Sequence, residues 1–299
     1  MSSMKAIAIK ARQRLSELSF ASLRERLTKA AGLLVSPAAL CLWAVIACIG
    51  FSIGGSNASR TIVFGLESKF GYTKTVFPVQ MKRWDEELFN LLSARAKADM
   101  AEFLKNAEQD ATGRPAEAQT DPESWKPYTQ SVSFVEQFRS HDIVSYLEIS
   151  TAAQGDAEPA VTYRTVNFDK KARREFTLAD FLDSPADRSK PLEAMAAYAR
   201  ADIKERTGEE EEESQALLEL TRPDLSVYER FTLCPSTKFG KAAGLTIHFP
   251  PSLSGPYAGS DFHVTIPYTV FAKYLKPEMK QLFAGEPRQA PISLDDLDS

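Results

Sequence analysis

The sequence predicts an α+β fold, a mainly antiparallel sheet with packed helices, preceded by one transmembrane helix. Three observations predict it: an uncharged interval between Lys29 and Arg60, three successive runs that alternate apolar and polar residues between Tyr128 and Phe168, and a helical stretch on either side of those runs. With 299 residues, 43% hydrophobic and 25% charged, and only 3 Cys, the chain is neither collagenous, disordered nor disulfide-stapled.

The first element is a basic tail, residues 1–34. Within residues 1–36, seven Lys/Arg face only Glu17 and Glu25; the chain as a whole is −4, so the remainder carries −9. That remainder argues against nucleic acid, whose phosphates draw their affinity from clustered Lys/Arg. Leu15, Leu18, Leu23 and Leu27, interleaved with Arg12, Arg14, Arg24 and Arg26, suit a basic helix lying on an anionic leaflet.

Residues 35–55 follow as a transmembrane signal anchor. The centre, Val35 to Ile53, has no polar face, and about 20 apolar residues at 1.5 Å each cross a bilayer. Basic residues crowd the side before it and are sparse after it, which keeps the N-terminus cytoplasmic and puts the main domain outside, in the periplasm. Two processing alternatives stand beside the anchor. Val45-Ile46-Ala47-Cys48 fits a loose lipobox with Cys48 as the lipidated residue, and Ser56 and Ala58 fit a signal peptidase site with cleavage after Ala58. If the anchor is intact, Cys234 is the only cysteine outside, so no intramolecular disulfide forms there.

Residues 56–71 read as a stalk leading into the domain, residues 72–285. A first strand is expected over Thr73–Val79, then a helix whose apolar residues (Trp84, Leu88, Leu91, Leu92, Ala96, Met100, Phe103, Leu104) recur every three or four positions. A polar loop, 109–124, separates it from strands over Tyr128–Phe138, His141–Thr151 and Ala160–Phe168; in the first, Tyr128, Val132, Phe134 and Phe138 share one parity. Thr177-Leu178-Ala179-Asp180 is a capping pattern, and Pro191 opens a longer helix through Arg206. The glutamates at 209–213 read as a solvated run. Strands are expected again over Tyr228–Cys234, Leu245–Phe249 and Phe262–Pro267, then a helix over Val270–Phe283 that Pro277 splits, and an acidic flexible tail, 286–299.

No GxSxG, HExxH, Walker A loop or dinucleotide fingerprint occurs, so neither catalytic residues nor a cofactor are expected. His248 and His263 flank one loop, with Asp261 on the parity of His263; a His/Asp/His metal site is the weaker reading, and no metal is expected. That loop, residues 250–260, is rich in Pro and Gly and cannot continue a central strand. Exposed anchors on a rigid loop suit binding, so Leu253, Pro256, Tyr257, Asp261 and His263 form the candidate ligand-binding site, the equal alternative being that Leu253 and Tyr257 simply cover the sheet.

The segments Gly244-Leu245-Thr246-Ile247-His248-Phe249-Pro250, Gly255-Pro256-Tyr257-Ala258-Gly259 and Val264-Thr265-Ile266-Pro267-Tyr268 resemble the C-terminal signature of the extracytoplasmic domain of the RsiV (anti-sigma-V factor) family, a domain that also accompanies some peptidoglycan deacetylases. Asn167-Phe168-Asp169 and Phe176 through Leu182 agree, as do Phe77-Pro78 and Leu88-Phe89-Asn90. The resemblance implies an α+β receptor that binds lysozyme outside the cell and restrains a sigma factor inside. Two stretches depart from it: residues 153–158 lack the family's Gly-Gly-Ala-His type sequence, and the tail shows no recognisable sigma-binding pattern. The expectation is a non-enzymatic, membrane-anchored envelope protein whose exterior domain binds a basic envelope protein such as lysozyme or a cell-wall ligand, with a sigma factor as the partner of the tail. The alternative is an envelope enzyme acting on peptidoglycan, with Asp261 or Glu229 and His263 as acid and base.

Overall fold

The computed structural model describes residues 61–113, 126–155, 157–183, 189–208, 214–249 and 261–290. The expected tail and span, Cys48, Ala58, the glutamate run 209–213, and Leu253, Pro256 and Tyr257 lie outside the described residues. Among the described residues no helix is long and apolar enough to cross a membrane.

A six-stranded sheet in sequence order, β1 to β6, forms the first half, and a three-stranded sheet, β7-β8-β9, the second. β1 (Thr61–Ser68) and β2 (Gly71–Pro78) make an antiparallel hairpin. Thr61–Ser68, read above as stalk, is therefore a strand: alternation is weak there and only pairing with β2 reveals it. Helices α1 (Val79–Trp84) and α2 (Glu86–Thr112) then carry the chain over to β3 (Tyr128–Arg139), which pairs in parallel with β2. β4 (Ile143–Ala153), β5 (Ala160–Asp169) and β6 (Arg174–Glu175) follow antiparallel.

Helix α2 extends to Thr112, into the expected loop, and buries Leu88, Phe89, Leu92, Ala96 and Met100. Four of these pack with Phe77, Phe134, Tyr146, Val166 and Phe168 on one face of the sheet. Phe138 does not join them. A bulge between Glu136 and Phe138 shifts the register, so Phe138 pairs with Ser145 and enters the second core instead. One extra residue turns every later side chain to the other face, a change that strict alternation does not anticipate.

The second half begins with α3 (Leu178–Phe181), which has the expected capping box from Thr177 and Asp180, followed by α4 (Ser189–Thr207), α5 (Gln215–Leu220) and α6 (Leu225–Tyr228). Tyr228, placed above in a strand, ends a helical turn capped by Asp224. β7 (Phe231–Pro235), β8 (Ala242–Phe249) and β9 (Phe262–Pro267) form an antiparallel meander. Leu192, Met195, Ala196, Ala199 and Ile203 of α4 share a core with Leu245, Ile247, Phe249, Val264 and Ile266. Gly244 is required by close approach: a Cβ there would strike the carbonyl of Ile266. The final expected helix is split, as Pro277 demands, into α7 (Tyr268–Phe271), a 3-10 turn (Ala272–Tyr274) and α8 (Pro277–Lys280). Residues 286–288, expected to be flexible, instead hydrogen-bond to the β7 end through Thr237 N to Glu286 O and Arg288 N to Pro235 O, both 2.9 Å.

The two halves meet where the free edge of β7 lies on the face of the first sheet that α2 leaves uncovered. His248 N bonds Arg230 O, so by alternation Glu229 O, Phe231 O and Leu233 N point away from β8. Thr165 donates to Glu229 O at 3.3 Å, Asn167 Nδ2 to Phe231 O at 2.8 Å, and Leu233 N donates to Ser145 Oγ at 3.3 Å. Ser145 Oγ in turn donates to Asn167 Oδ1 at 2.6 Å. Side chains of β4 and β5 thus stand in for a missing neighbour strand. Asn167→Ala leaves the Phe231 carbonyl unpaired in a buried layer, and we expect a loss of roughly 2–3 kcal/mol, read as a lower urea midpoint, against a far smaller effect for Thr162→Ala outside that layer.

Candidate functional site

The β8–β9 hairpin brings His248 and His263 directly opposite each other, as cross-strand partners at the base of the loop 250–260. Their Nδ1 atoms stand 2.7 Å apart, and His248 Nε2 is 2.9 Å from Thr232 Oγ1 on β7. On the other side His263 Nε2 is 3.3 Å from Asp261 Oδ2, an electrostatic contact outside hydrogen-bond geometry. Tyr163, from β5 of the first sheet, donates its hydroxyl to the same Asp261 Oδ2 at 2.8 Å, and its ring lies 5.2 Å from that of His263.

This line of groups has one self-consistent protonation pattern. Of two imidazole nitrogens facing each other, one donates and one accepts. The Asp261 carboxylate favours a proton on His263 Nε2, which leaves His263 Nδ1 as acceptor and His248 Nδ1 as donor. His248 Nε2 then accepts from the Thr232 hydroxyl. The protons run in one direction, from Thr232 through His248 and His263 to Asp261, where Tyr163 also donates.

Burial drives His248 well below its ordinary value of 6.5, and the neighbouring His263 adds to the effect. His263 is lowered too, chiefly by burial, with Asp261 pulling the other way. Burial opposes ionisation of Asp261, yet the Tyr163 hydroxyl and His263 hold its carboxyl below the usual range. Tyr163 is correspondingly raised, by burial and by Asp261. Both histidines are therefore neutral at neutral pH while Asp261 is charged.

Among the candidate residues, the structure brings Asp261 and His263 together with His248. Two partners escaped the sequence reading. Thr232 and Tyr163 lie far from the loop in the chain, and Tyr163 reaches Asp261 across 98 positions, which no local pattern signals. The histidine nitrogens are turned to each other rather than to a shared vacancy, and among the described residues no group of three or more His, Cys, Asp or Glu is arranged to hold a metal. Glu229, the alternative acid, is exposed and takes part through its backbone carbonyl, which accepts from Thr165.

A second concavity, about 280 Å³, lies between α2 and the sheet and includes Arg95, Asp99, Glu148 and Arg164 in its walls. Glu148 is raised by burial in spite of Arg164 and Arg95, the latter 2.9 Å away. Each guanidinium there already faces a carboxylate, Arg164 standing 3.6 Å from Glu148 and 3.7 Å from Asp99.

The hairpin, with its two histidines, falls in the part of the chain that comparison with known proteins picks out. Residues 180–269 match the DUF3298 family, described as proteins of unknown function. Two solved DUF3298 structures are similar: one from Bacteroides fragilis, with 12% identity, TM-score 0.43, and coverage of 79% of this chain and 94% of that one, and one from Pseudomonas aeruginosa, with 14% identity, TM-score 0.40, and coverage of 81% and 96%. No curated protein matches. The DUF3298 match names no anti-sigma factor, and it covers only part of residues 72–285 over which the RsiV resemblance runs. It runs from the end of α3 to the start of α7, so Thr232, His248, Asp261 and His263 lie within the DUF3298 segment and Tyr163 outside it.

The depressed histidines set the pH dependence of folding. As pH falls below about 6.5 the unfolded chain takes up protons that the folded one refuses, so stability is full above that pH and is lost on acidification. Thermal melts between about pH 7.5 and pH 5 should show a falling midpoint, and the double variant His248→Gln/His263→Gln should show a flatter slope over the same window.

Proposed function

We propose that this chain is a membrane-anchored envelope protein whose exterior domain uses the β8–β9 loop to hold a basic protein or a cell-wall ligand. The observation that carries this reading is the way the loop is founded. Both of its stems are tied down, His248 to Thr232 and His263, and Asp261 to Tyr163 of the other sheet. Fixed stems lower the ordering cost of engaging a ligand through the residues between them, Leu253, Pro256 and Tyr257 among these. The anchor rests on the uncharged interval and its basic flank, the ligand class on the −9 balance of residues 37–299, and the RsiV resemblance supplies lysozyme as the first partner to test and a sigma factor as the partner of the tail.

The enzymatic reading keeps one supporting observation, the contiguous Tyr163–Asp261–His263–His248 line, which has acid and base character. Release of product from cell-wall fragments by the purified chain, abolished in His263→Ala, would establish it over the binding role.

Full-length protein in detergent, immobilised and challenged with lysozyme, should retain it, with affinity falling as salt rises and falling about tenfold or more in Tyr257→Ala. Absence of retention for lysozyme and for cell-wall fragments alike would remove the ligand-binding role. A periplasm-active reporter fused after Ser299 should be active, and silence there would remove the envelope location.

A further inference from the structure

The topology marks one end of the domain as the end from which the chain comes in. Thr61 registers on Pro78, and β2 runs parallel to β3 with Val76 opposite Ser133, so the start of β1 and the end of β2 lie toward the same end of the sheet as Arg139, the last residue of β3. Directly after Pro78, α1 carries Trp84, a large aromatic with 55% of its surface exposed, whose ring has the Arg139 guanidinium 5.1 Å from its centre. Against the same last residues of β3 lies the β7–β8 turn, with Arg139, Lys238, Phe239 and Arg288 lining one shallow concavity. Gly240, at φ +68°, lets the chain reverse there, and Phe239 stands fully exposed at the tip.

Two exposed aromatics at one end are unusual company for a −9 surround, and the charges around them reverse the sign. Lys238 and Lys241 flank Phe239, Arg288 adjoins it, and Lys82 and Arg83 precede Trp84. The acids at this end are Asp85, Glu86, Glu87, Glu136, Asp142 and Glu286; Arg139 holds Asp85 at 2.7 Å and Glu136 at 2.6 Å, Lys170 stands 3.8 Å from Asp85 and Arg173 faces Glu87 at 3.4 Å, which leaves Lys82, Arg83, Lys238, Lys241 and Arg288 against Glu86, Asp142 and Glu286. Aromatic rings with a polar handle or a cationic neighbour settle at the headgroup level of a bilayer, and Lys/Arg beside them meet the lipid phosphates. Only residues 54–60 separate Ile53 from Thr61, a reach of at most about 25 Å when fully extended, so this end stays within touching distance of the membrane if Val35–Ile53 spans it.

We infer that the Trp84–Phe239 end of the domain docks on the anionic lipid headgroups of the membrane that anchors the chain, with both rings at the interface and Lys238, Lys241 and Arg288 on the phosphates. The inference rests on the anchor proposed above. It directs the stems of the β8–β9 hairpin, Phe249 and Phe262, away from the bilayer, because they lie at the opposite end of the second sheet from Pro235 and Ala242.

The test uses the full chain with Trp43→Phe and Trp125→Phe, which leaves Trp84 as the sole tryptophan, reconstituted into vesicles of phosphatidylcholine alone or mixed with phosphatidylglycerol, each with or without lipid brominated near the headgroup. Bromolipid should quench Trp84 roughly twofold in the phosphatidylglycerol mixture and less in phosphatidylcholine alone, and Lys238→Glu/Lys241→Glu or Phe239→Ser should relieve the quenching with an unchanged circular dichroism spectrum. An alkaline wash of the same vesicles separates the two ideas. Protein that stays in the membrane with Trp84 open to iodide and untouched by bromolipid overturns the docking and leaves the anchor standing. Protein stripped by alkali overturns both. Shielding of Trp84 that appears only when an acidic protein is added assigns the surface to that class of partner and overturns the lipid docking.

Discussion

A buried strand edge is the constraint around which this domain is organised. The outward-pointing backbone groups of β7 are buried against the first sheet, where no neighbouring strand serves them, and each unpaired group there costs about 1–3 kcal/mol. Thr165, Asn167 and Ser145 meet three of them in succession, and the segment around Arg288 meets the next. These polar side chains occupy the face of β4 and β5 that would otherwise be aliphatic. A slip of β5 by one residue would present Val166 and Phe168 to the β7 edge and Asn167 to the α2 core, so the register of the first sheet and the seating of the second are decided together.

The same polar layer continues to the histidine pair. Thr232 lies between the Asn167 clamp and His248, and Tyr163 extends from β5 to Asp261 two residues along the strand face from Thr165. The stability of the fold and the footing of the loop therefore share one hydrogen-bonded seam. Buried networks of this kind are costly when half satisfied and restrictive when complete, because only one arrangement of donors and acceptors closes them. The tautomer pattern from Thr232 to Asp261 is an instance: reversing one proton would turn a bare His263 nitrogen toward a carboxylate.

Placed on the proposed anchor, the domain has a polarity. One end carries the incoming chain, Trp84, Phe239 and a local excess of positive charge; the other carries the loop stems and the Tyr163–Asp261 bond. A receptor on a short tether would gain from such a division, with its bilayer side occupied by lipid and the loop stems directed at what lies beyond. The concavity beneath α2, where Arg95 and Arg164 are already matched by Glu148 and Asp99, offers no unbalanced charge of its own.

By itself the sequence determined the class of the fold and most of its elements. Period-two alternation marked β3, β4 and β5, three- and four-residue spacing marked α2, Thr177 and Asp180 marked the capped turn, and Pro277 split the last helix, because each of these rests on the chemistry of neighbouring residues. It also placed Asp261 and His263 on one parity beside the loop. Tertiary structure alone decided the rest. Thr61–Ser68 is a strand because β2 pairs with it, Phe138 changes core because a bulge at Gln137 turns the pleat, and residues 286–288 are held because β7 has an edge to satisfy. Tyr163 meets Asp261 for the same reason: hydrogen bonds between distant strands depend on how two sheets are seated, and that seating is a property of the packed molecule that no window of sequence contains.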